Sequence, residues 1–393
     1  MNIAIFTDTY YPEVNGVVTS VMILKRELEK VGHKVYIFTT TNPEAKNDDQ
    51  NVFRLPSIPF LFLPSRRLGA VYSLKAANIF KKLDIDIIHT QTEFSLGFFG
   101  KQMAKQYGIP VVHTYHTMYK DYAHYISKGR FTGITNELAR KFSRKYCNSC
   151  QAIIAPTNKV FDLLKSYRIV KPIKVIPSGI DLGMFSENNY TAREIEELRI
   201  KLGIDKKDYI ILGIGRLAKE KSFDVIIQGM PQLLKKVPNA KLLLVGDGPS
   251  KDELKALANS LGCSSSVIFA GEQPWHSIAR YYALGDVFVS ASVTETQGLT
   301  IIEAMSARVP VVVKRDKNTE GTIIHNKTGM LFNEDAELPD RVFKVLTDRE
   351  KRQELVNNAY EKAIEFSSVC FAKNVLGVYM EVLGSSCVEA LLN

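Results

Sequence analysis

The sequence predicts an α/β fold built as two successive parallel-sheet halves. Three observations carry this expectation. Short apolar, β-branched runs recur from end to end, helix-prone stretches separate them, and turn-forming residues interrupt the recurrence near the middle. Parallel strands need crossover helices, and burial on both faces makes them continuous apolar runs rather than alternating ones. At 393 residues and 45% hydrophobic content, the chain can bury two ordinary cores.

In the first half, strands are expected at Asn2–Phe6, Lys34–Thr39, Ile85–His89, Pro110–Thr114, Ala152–Ala155 and Ile173–Ile176. In the second they are expected at Ile210–Ile214, Leu242–Val245, Val267–Ala270, Val287–Ser290 and Val309–Val313. The join falls at Pro177-Ser178-Gly179-Ile180-Asp181, where a strand stops in turn formers. No short solenoid repeat is present.

Residues 295 to 303, Glu-Thr-Gln-Gly-Leu-Thr-Ile-Ile-Glu, follow the run Asp286 to Ala291 and lead into a helix beginning near Leu299. Gly298 stands at the helix mouth, where first-turn amides near Gly298, Leu299 and Thr300 lack intrahelical acceptors and face the positive end of the dipole. Such amides bind phosphate oxygens. Glu295 precedes the helix and Glu303 lies one to two turns inside it. Carboxylates beside a diphosphate would be repelled, so each is expected to accept from hydroxyls, one set on ribose and the other on a hexose. The alternative is a capped helix with two solvated glutamates. After the run Tyr209–Ile214, Arg216 and Lys221 can neutralise a leaving diphosphate without a metal, or can be surface cations. The turn Gly246-Asp247-Gly248-Pro249 either shapes the nucleotide pocket or is a plain strand-to-helix turn.

Together these motifs resemble the donor site of retaining nucleotide-sugar glycosyltransferases of family 4, and the resemblance runs through nearly the whole chain. It implies the GT-B architecture, two Rossmann-like domains facing a cleft, with a C-terminal helix at about Ser368–Leu383 crossing back to the first domain. The domains would be 1–178 for the acceptor and membrane, 179–367 for the nucleotide-sugar donor, and 368–393 for the crossover helix and tail. Gly16, in the loop Thr7 to Val18, would approach the donor phosphates. Asn15 stands where many relatives carry a second glycine, which makes the loop less permissive of positive φ. His116 would meet the transferred hexose or orient the acceptor, its alternative being a structural role. Asp121 would guide the acceptor proton or cap a helix. Asp8 and His124 would serve the acceptor side or order loops.

Three longer passages, His89 to Gly97, His113 to Tyr125 and Ser290 to Thr300, are similar to a lipid-glucosylating subgroup, the bacterial 1,2-diacylglycerol 3-glucosyltransferases. Gln297, where many family members carry an aromatic residue, fits that subgroup. The resemblance implies transfer of glucose from UDP-glucose to the free hydroxyl of diacylglycerol, giving an α-linkage. Other lipid, protein or polysaccharide acceptors remain open, as do a nucleotide-sugar epimerase and a non-catalytic binding module. Acceptor-dependent release of UDP separates the transferases from both.

Residues 1 to 190 hold 25 Lys and Arg against 15 Asp and Glu, leaving 26 against 27 for the remainder. A basic half suggests an anionic partner surface, and no nucleic-acid motif is present. Phe53 to Lys82 interleaves Phe60, Leu61 and Phe62 with Arg54, Arg66, Arg67, Lys75, Lys81 and Lys82. This stretch either lies on an anionic bilayer or is a core-packed loop and helix with solvated lysines. No apolar run approaches the roughly 18 residues that span a membrane, and the first residues read as a core strand rather than a signal peptide. A cytoplasmic, peripherally membrane-associated protein is therefore expected. The five cysteines imply no disulfide framework, and Cys147-Asn148-Ser149-Cys150, lacking a second pair for zinc, reads as ordinary reduced thiols rather than a metal or redox site. With two cations and helix amides to meet the diphosphate, no tightly bound metal and no cofactor is expected.

Overall fold

The computed structural model describes residues 1–13, 15–45, 50–60, 63–116, 132–186, 189–274, 277–293, 297–316, 319 and 321–384; of these, 60, 63–66 and 132–136 are described by backbone alone. The chain forms two compact units, Met1–Gly179 with Ser368–Asn393, and Ile180–Ser367.

The first unit contains strands β1 (Asn2–Phe6), β2 (Lys34–Thr40), β3 (Val52–Leu55), β4 (Ser57–Phe60), β5 (Leu63–Gly69), β6 (Ile87–Thr90), β7 (Val111–Thr114), β8 (Ala152–Ala155) and β9 (Ile173–Val175). Seven of them form one sheet in the order β3-β2-β1-β6-β7-β8-β9, every pair parallel. Successive β1 side chains enter opposite cores: Ala4 and Phe6 on one face, Ile3 and Ile5 on the other. Phe6 stacks on Phe38 with ring centroids 4.7 Å apart and meets Phe99 edge-on.

The Ser368–Leu383 helix belongs to this first unit. Phe371, Ala372, Val375, Val378 and Tyr379 repeat at helical spacing and pack with Ile3, Ile5, Val21, Leu24 and Leu28. The second unit contains β10 (Tyr209–Ile214), β11 (Ala240–Val245), β12 (Val267–Gly271), β13 (Val287–Ser290), β14 (Val311–Lys314) and β15 (Met330–Phe332). Its sheet runs β12-β11-β10-β13-β14-β15, again parallel throughout. Ile211 faces one core, Ile210 and Leu212 the other.

The stretch Phe53 to Lys82 divides between its two sequence readings. Strand β3 joins the sheet edge with Phe53 5.1 Å from the Phe38 ring, and the Leu74–Phe80 helix buries Ala76, Ala77 and Phe80. Between them β4 and β5 form an antiparallel hairpin. Ile58, Val71, Tyr72 and Leu74 remain outward at 67, 50, 49 and 72% exposure, and Lys75, Lys81 and Lys82 are exposed as well. The backbone of Arg66 lies in β5, while its side chain is outside the described residues. Arg67 Nε and a terminal nitrogen donate to Ser57 Oγ and O at 2.8 and 2.9 Å, which anchors its guanidinium to the hairpin. Among the described residues no helix is long and apolar enough to cross a membrane.

Phe371 is 6% exposed. Phe371→Ala should destabilise the first unit by about 3 to 5 kcal/mol through lost contacts and the cavity left behind. Urea denaturation of the full chain tests this, and wild-type stability would show that the helix face contributes no packing.

Candidate active site

In an open parallel sheet, ligands bind beyond the carboxyl ends of the strands, where successive connections wind away in opposite directions. In the second unit that point lies between β10 and β13: from β10 the chain proceeds to β11 and β12 on one side, then to β13 on the other. The Gly215–Lys221 loop leaves β10, and the helix headed by Gly298 follows β13. The two motifs singled out in the sequence therefore flank one crevice position.

The β10 loop is fixed by backbone approach. Leu217 N donates to Asp247 O at 3.0 Å, Ser250 N to Leu217 O at 2.9 Å, and Gly215 N to Val245 O at 3.0 Å. A Cβ on Gly246 would stand 2.0 Å from Gly215 O, and one on Gly248 would stand 2.4 Å from Leu217 O. These glycines let the two loops zip together. The Asp247 carboxylate accepts from Gly248 N and Lys251 Nζ, so the turn acts as a buttress for the loop that carries Arg216. Arg216 is exposed and Lys221 half-buried, with Lys221 Cε 3.9 Å from where a Gly215 Cβ would be. Ser292 Oγ, just beyond β13, donates to Glu220 O at 3.0 Å and joins this loop to the other side of the crevice.

Gly298 has φ 68°, the left-handed conformation that glycine adopts without the Cβ penalty, and caps the Leu299–Ser306 helix. The backbone amides of Leu299 and Thr300 follow it in the first turn, positioned to receive an anion. Glu303 lies on the next turn; its Oε2 accepts from Tyr282 Oη at 2.6 Å, and Tyr282 also donates to Thr300 O at 3.2 Å. Burial pushes the Glu303 carboxyl upward, and the tyrosine bond partly offsets this. Tyr282 uses one of the four lone-pair positions of the carboxylate. Glu295 lies outside the described residues.

The first unit reverses its winding between β1 and β6. Asp8, after β1, is buried there. Its Oδ2 accepts from Thr92 Oγ1 at 2.5 Å, and its Oδ1 accepts from Ser95 Oγ and from Leu96 N at 3.2 Å. Its carboxylate thus ties two loops and meets the first-turn amide of the Ser95–Tyr107 helix. Burial raises its pKa against the lowering effect of these bonds. Gly16 begins the first helix. Asn15 is extended at φ −162° and accepts from Val17 N and Val18 N at 3.1 Å, so it caps that helix and needs no positive φ.

His116 follows β7, and its Nε2 is 2.7 Å from Gln91 Oε1. His89 Nδ1 is 2.6 Å from Tyr379 Oη, and its Nε2 is 2.7 Å from Thr114 Oγ1. Burial holds His116 at about 3 and His89 well below the ordinary imidazole value, reinforced in each by His113. Both rings are therefore neutral at pH 7. Asp121 and His124 lie outside the described residues. Sequence reasoning missed Gln91, Tyr379, Tyr282 and Ser292 as participants. Gln91 lay within a quoted motif, whereas nothing local links Tyr379 to His89, 290 positions away.

The profile described as Glycosyltransferase Family 4 matches residues 14–183, and that of Glycosyl transferases group 1 matches residues 194–362. The chain is 38% identical to the alpha-monoglucosyldiacylglycerol synthase of Streptococcus pneumoniae, over 98% of this chain and 87% of that protein. It is 34% identical to the Acholeplasma laidlawii protein of the same name, over 98% of each. Among solved structures, the sucrose-phosphate synthase of Thermosynechococcus elongatus matches with a TM-score of 0.77 at 23% identity, over 98% of this chain and all of that one. Anabaena HepE in complex with UDP and glucose matches at 0.74 and 19%, over 97% and all of the respective chains. The architecture is GT-B.

The neutral histidines set the sign of a pH dependence. Between their folded values and about 6.5, the unfolded chain binds more protons than the folded one, so stability rises with pH in that window and is lost on acidification. Each such group contributes a slope of up to about 1.4 kcal/mol per pH unit. Hydrogen exchange of first-unit strand peptides, corrected for intrinsic rates, should show a shallower slope between pH 5 and 6.5 in His116→Gln than in wild type. Identical slopes would mean that His116 is not held neutral.

Proposed function

The chain belongs to the family 4 glycosyltransferases, and from that membership we propose that it moves glucose from UDP-glucose to the free hydroxyl of 1,2-diacylglycerol with retention. The product is α-monoglucosyl-diacylglycerol. The observation that carries this reading is the pairing, across the β10/β13 reversal, of a cationic loop with a glycine-headed helix N-terminus. Similarity along 98% of the chain to two proteins named alpha-monoglucosyldiacylglycerol synthase supports the choice of sugar and acceptor.

In this reading Arg216 and Lys221 stabilise the charge that develops on the UDP diphosphate as the glucosyl bond breaks, Arg216 through a planar fork and Lys221 as a point charge. Amides near Gly298, Leu299 and Thr300 hold phosphate oxygens, and Gly16 is the first unit's candidate contact to the donor phosphates. Glu303, steadied by Tyr282, accepts from donor hydroxyls, and Glu295 takes the other hydroxyl set. The acceptor oxygen attacks the anomeric carbon on the face the phosphate leaves. One C–O bond breaks toward UDP, one forms to diacylglycerol, and the acceptor proton passes to the departing phosphate oxygen. His116 contacts a hydroxyl of the sugar or acceptor. Asp121 guides the acceptor proton, and His124 lies on the acceptor side. No metal is required, since two cations and the helix amides meet the diphosphate charge.

The lipid is reached from an anionic membrane surface on the cytoplasmic face. Ile58, Val71, Tyr72 and Leu74 supply exposed apolar contact, with Arg66, Lys75, Lys81 and Lys82 as the cations. A basic side chain at such a surface contributes ~1 kcal/mol, less at high salt.

Mass spectrometry of a reaction containing UDP-glucose and diacylglycerol tests the activity directly. Arg216→Ala and Lys221→Ala should each lower turnover by ~10² to 10³ without unfolding the protein. Near-wild-type rates in both would sink the donor assignment. Dialysis against EDTA should change the rate little, and a complete loss restored by magnesium would count against metal-free stabilisation.

Charge reversal at Lys75, Lys81 and Lys82 should weaken flotation with phosphatidylglycerol liposomes and activity on bilayer diacylglycerol while sparing UDP-glucose hydrolysis. Wild-type flotation by the folded variant across salt concentrations would place the membrane contact elsewhere.

A further inference from the structure

A chain of buried polar groups in the first unit runs from the C-terminal helix to His116. Tyr379 Oη is 2.6 Å from His89 Nδ1. His89 Nε2 is 2.7 Å from Thr114 Oγ1 and 3.2 Å from Gln91 Nε2. Gln91 Oε1 is 2.7 Å from His116 Nε2. Tyr379 and His89 are fully buried, and Gln91 is 2% exposed.

The amide gives this chain a direction. Gln91 turns its oxygen, an acceptor only, to His116, and its NH2, a donor only, to His89. His116 Nε2 must then carry a proton and donate it to Gln91. His89 Nε2 must be unprotonated to accept from Gln91, and the Thr114 hydroxyl can donate to the same nitrogen. The proton of neutral His89 therefore sits on Nδ1 and is donated to Tyr379 Oη. With Nε2 of His116 protonated, the lone pair of the neutral ring is on Nδ1.

We propose that Tyr379, His89 and Gln91 are positioning residues that lock His116 in its Nε2–H tautomer, so that Nδ1 is presented as a hydrogen-bond acceptor to a substrate hydroxyl. The proposal rests on the reading of His116 as a substrate contact and adds which nitrogen meets the hydroxyl and what fixes it. The reversed chain, with Tyr379 donating to His89 and Gln91 turned over, would present an N–H instead. An acceptor nitrogen suits a neutral hydroxyl, whereas a donor suits an oxyanion. The depressed proton affinities of both rings agree with a relay of neutral imidazoles, because a doubly protonated His89 would set an N–H against the Gln91 NH2. The arrangement also gives the C-terminal helix a task at the site besides covering the sheet.

The test uses the full chain labelled with 15N-histidine, with resonances assigned through His89→Gln and His116→Gln. Long-range 1H–15N spectra at pH 7 should show His116 protonated on Nε2 and His89 protonated on Nδ1. Tyr379→Phe removes the acceptor at the end of the chain. It should move His89 toward the Nε2–H form, mix the His116 tautomers, and lower kcat for glucosyl transfer at least about tenfold, less than the ~10² to 10⁴ that a positioned acid–base group itself contributes. KM for UDP-glucose should stay within about twofold of wild type. A wild-type His116 protonated on Nδ1 overturns the proposal, and needs no variant to fold. Unchanged spectra in folded Tyr379→Phe, or changed spectra with unchanged kcat, also overturn it. Absence of transfer by the wild type would instead defeat the proposed reaction, since the tautomer measurement uses neither substrate.

Discussion

In each unit the candidate residues depend first on one topological constraint, the single reversal of winding in its parallel sheet. Crossover helices after β1 and β10 carry the chain one way, and those leading into β6 and β13 carry it the other. The connections on either side of the reversal diverge, so the carboxyl ends of two adjacent central strands are left without a crossover above them. Loops from both strands can reach that opening. In the second unit they bring cations and helix amides, and in the first a buried carboxylate and the polar ends of β6 and β7. Chemistry collects at these edges because the fold leaves backbone donors and side-chain ends there, while the strand middles are committed to cores on both faces.

The two units use this constraint differently. In the second, the Gly246 and Gly248 turn lies against Gly215 and Leu217 at distances that admit no side chain. The cationic loop is thereby held by backbone hydrogen bonds, and Arg216 can remain exposed. In the first unit the ordering is done by side chains. Asp8 draws Thr92, Ser95 and the Leu96 amide around itself, and His89 and Gln91 form a second polar group with Thr114, Tyr379 and His116. Burying such groups is tolerable only because nearly every donor meets an acceptor; an unsatisfied buried group costs about 1 to 3 kcal/mol. The same condition that makes the network stable makes it directional.

Much of this was legible in the sequence, for identifiable reasons. The central strands stand out because burial on both faces demands unbroken apolar runs such as Ile3-Ala4-Ile5-Phe6 and Ile210-Ile211-Leu212. Gly298 was legible because a helix beginning directly after a strand loop has few ways to start, and the place of the loop that carries Arg216 and Lys221 because it follows a strand end. The edge strand β3 was not: it is half-buried, and Arg54 interrupts it while donating to Thr40 O and Tyr11 O. Strand β15, three residues long, was not read from the sequence either. Nothing local links Arg67 to Ser57, and only the hairpin register brings the two together. At Asn15, where many relatives carry a second glycine, the loop uses a side-chain carbonyl to cap the helix and needs no positive φ.

Tyr379 marks the limit of local reading most clearly. Its helix is amphipathic, and its spacing with Phe371, Ala372, Val375 and Val378 is fully explained by packing on the first sheet. The hydroxyl adds nothing to that periodicity; phenylalanine would satisfy the pattern equally well. Yet a buried tyrosine oxygen needs a partner, and at this position the sheet offers the Nδ1 of His89. The helix that completes the core therefore also terminates a hydrogen-bond chain reaching His116. Because His89 and Tyr379 are both solvent-free, neither can exchange its partner for water. The choice of partner is passed outward through Gln91 to His116, the first unit's candidate substrate contact.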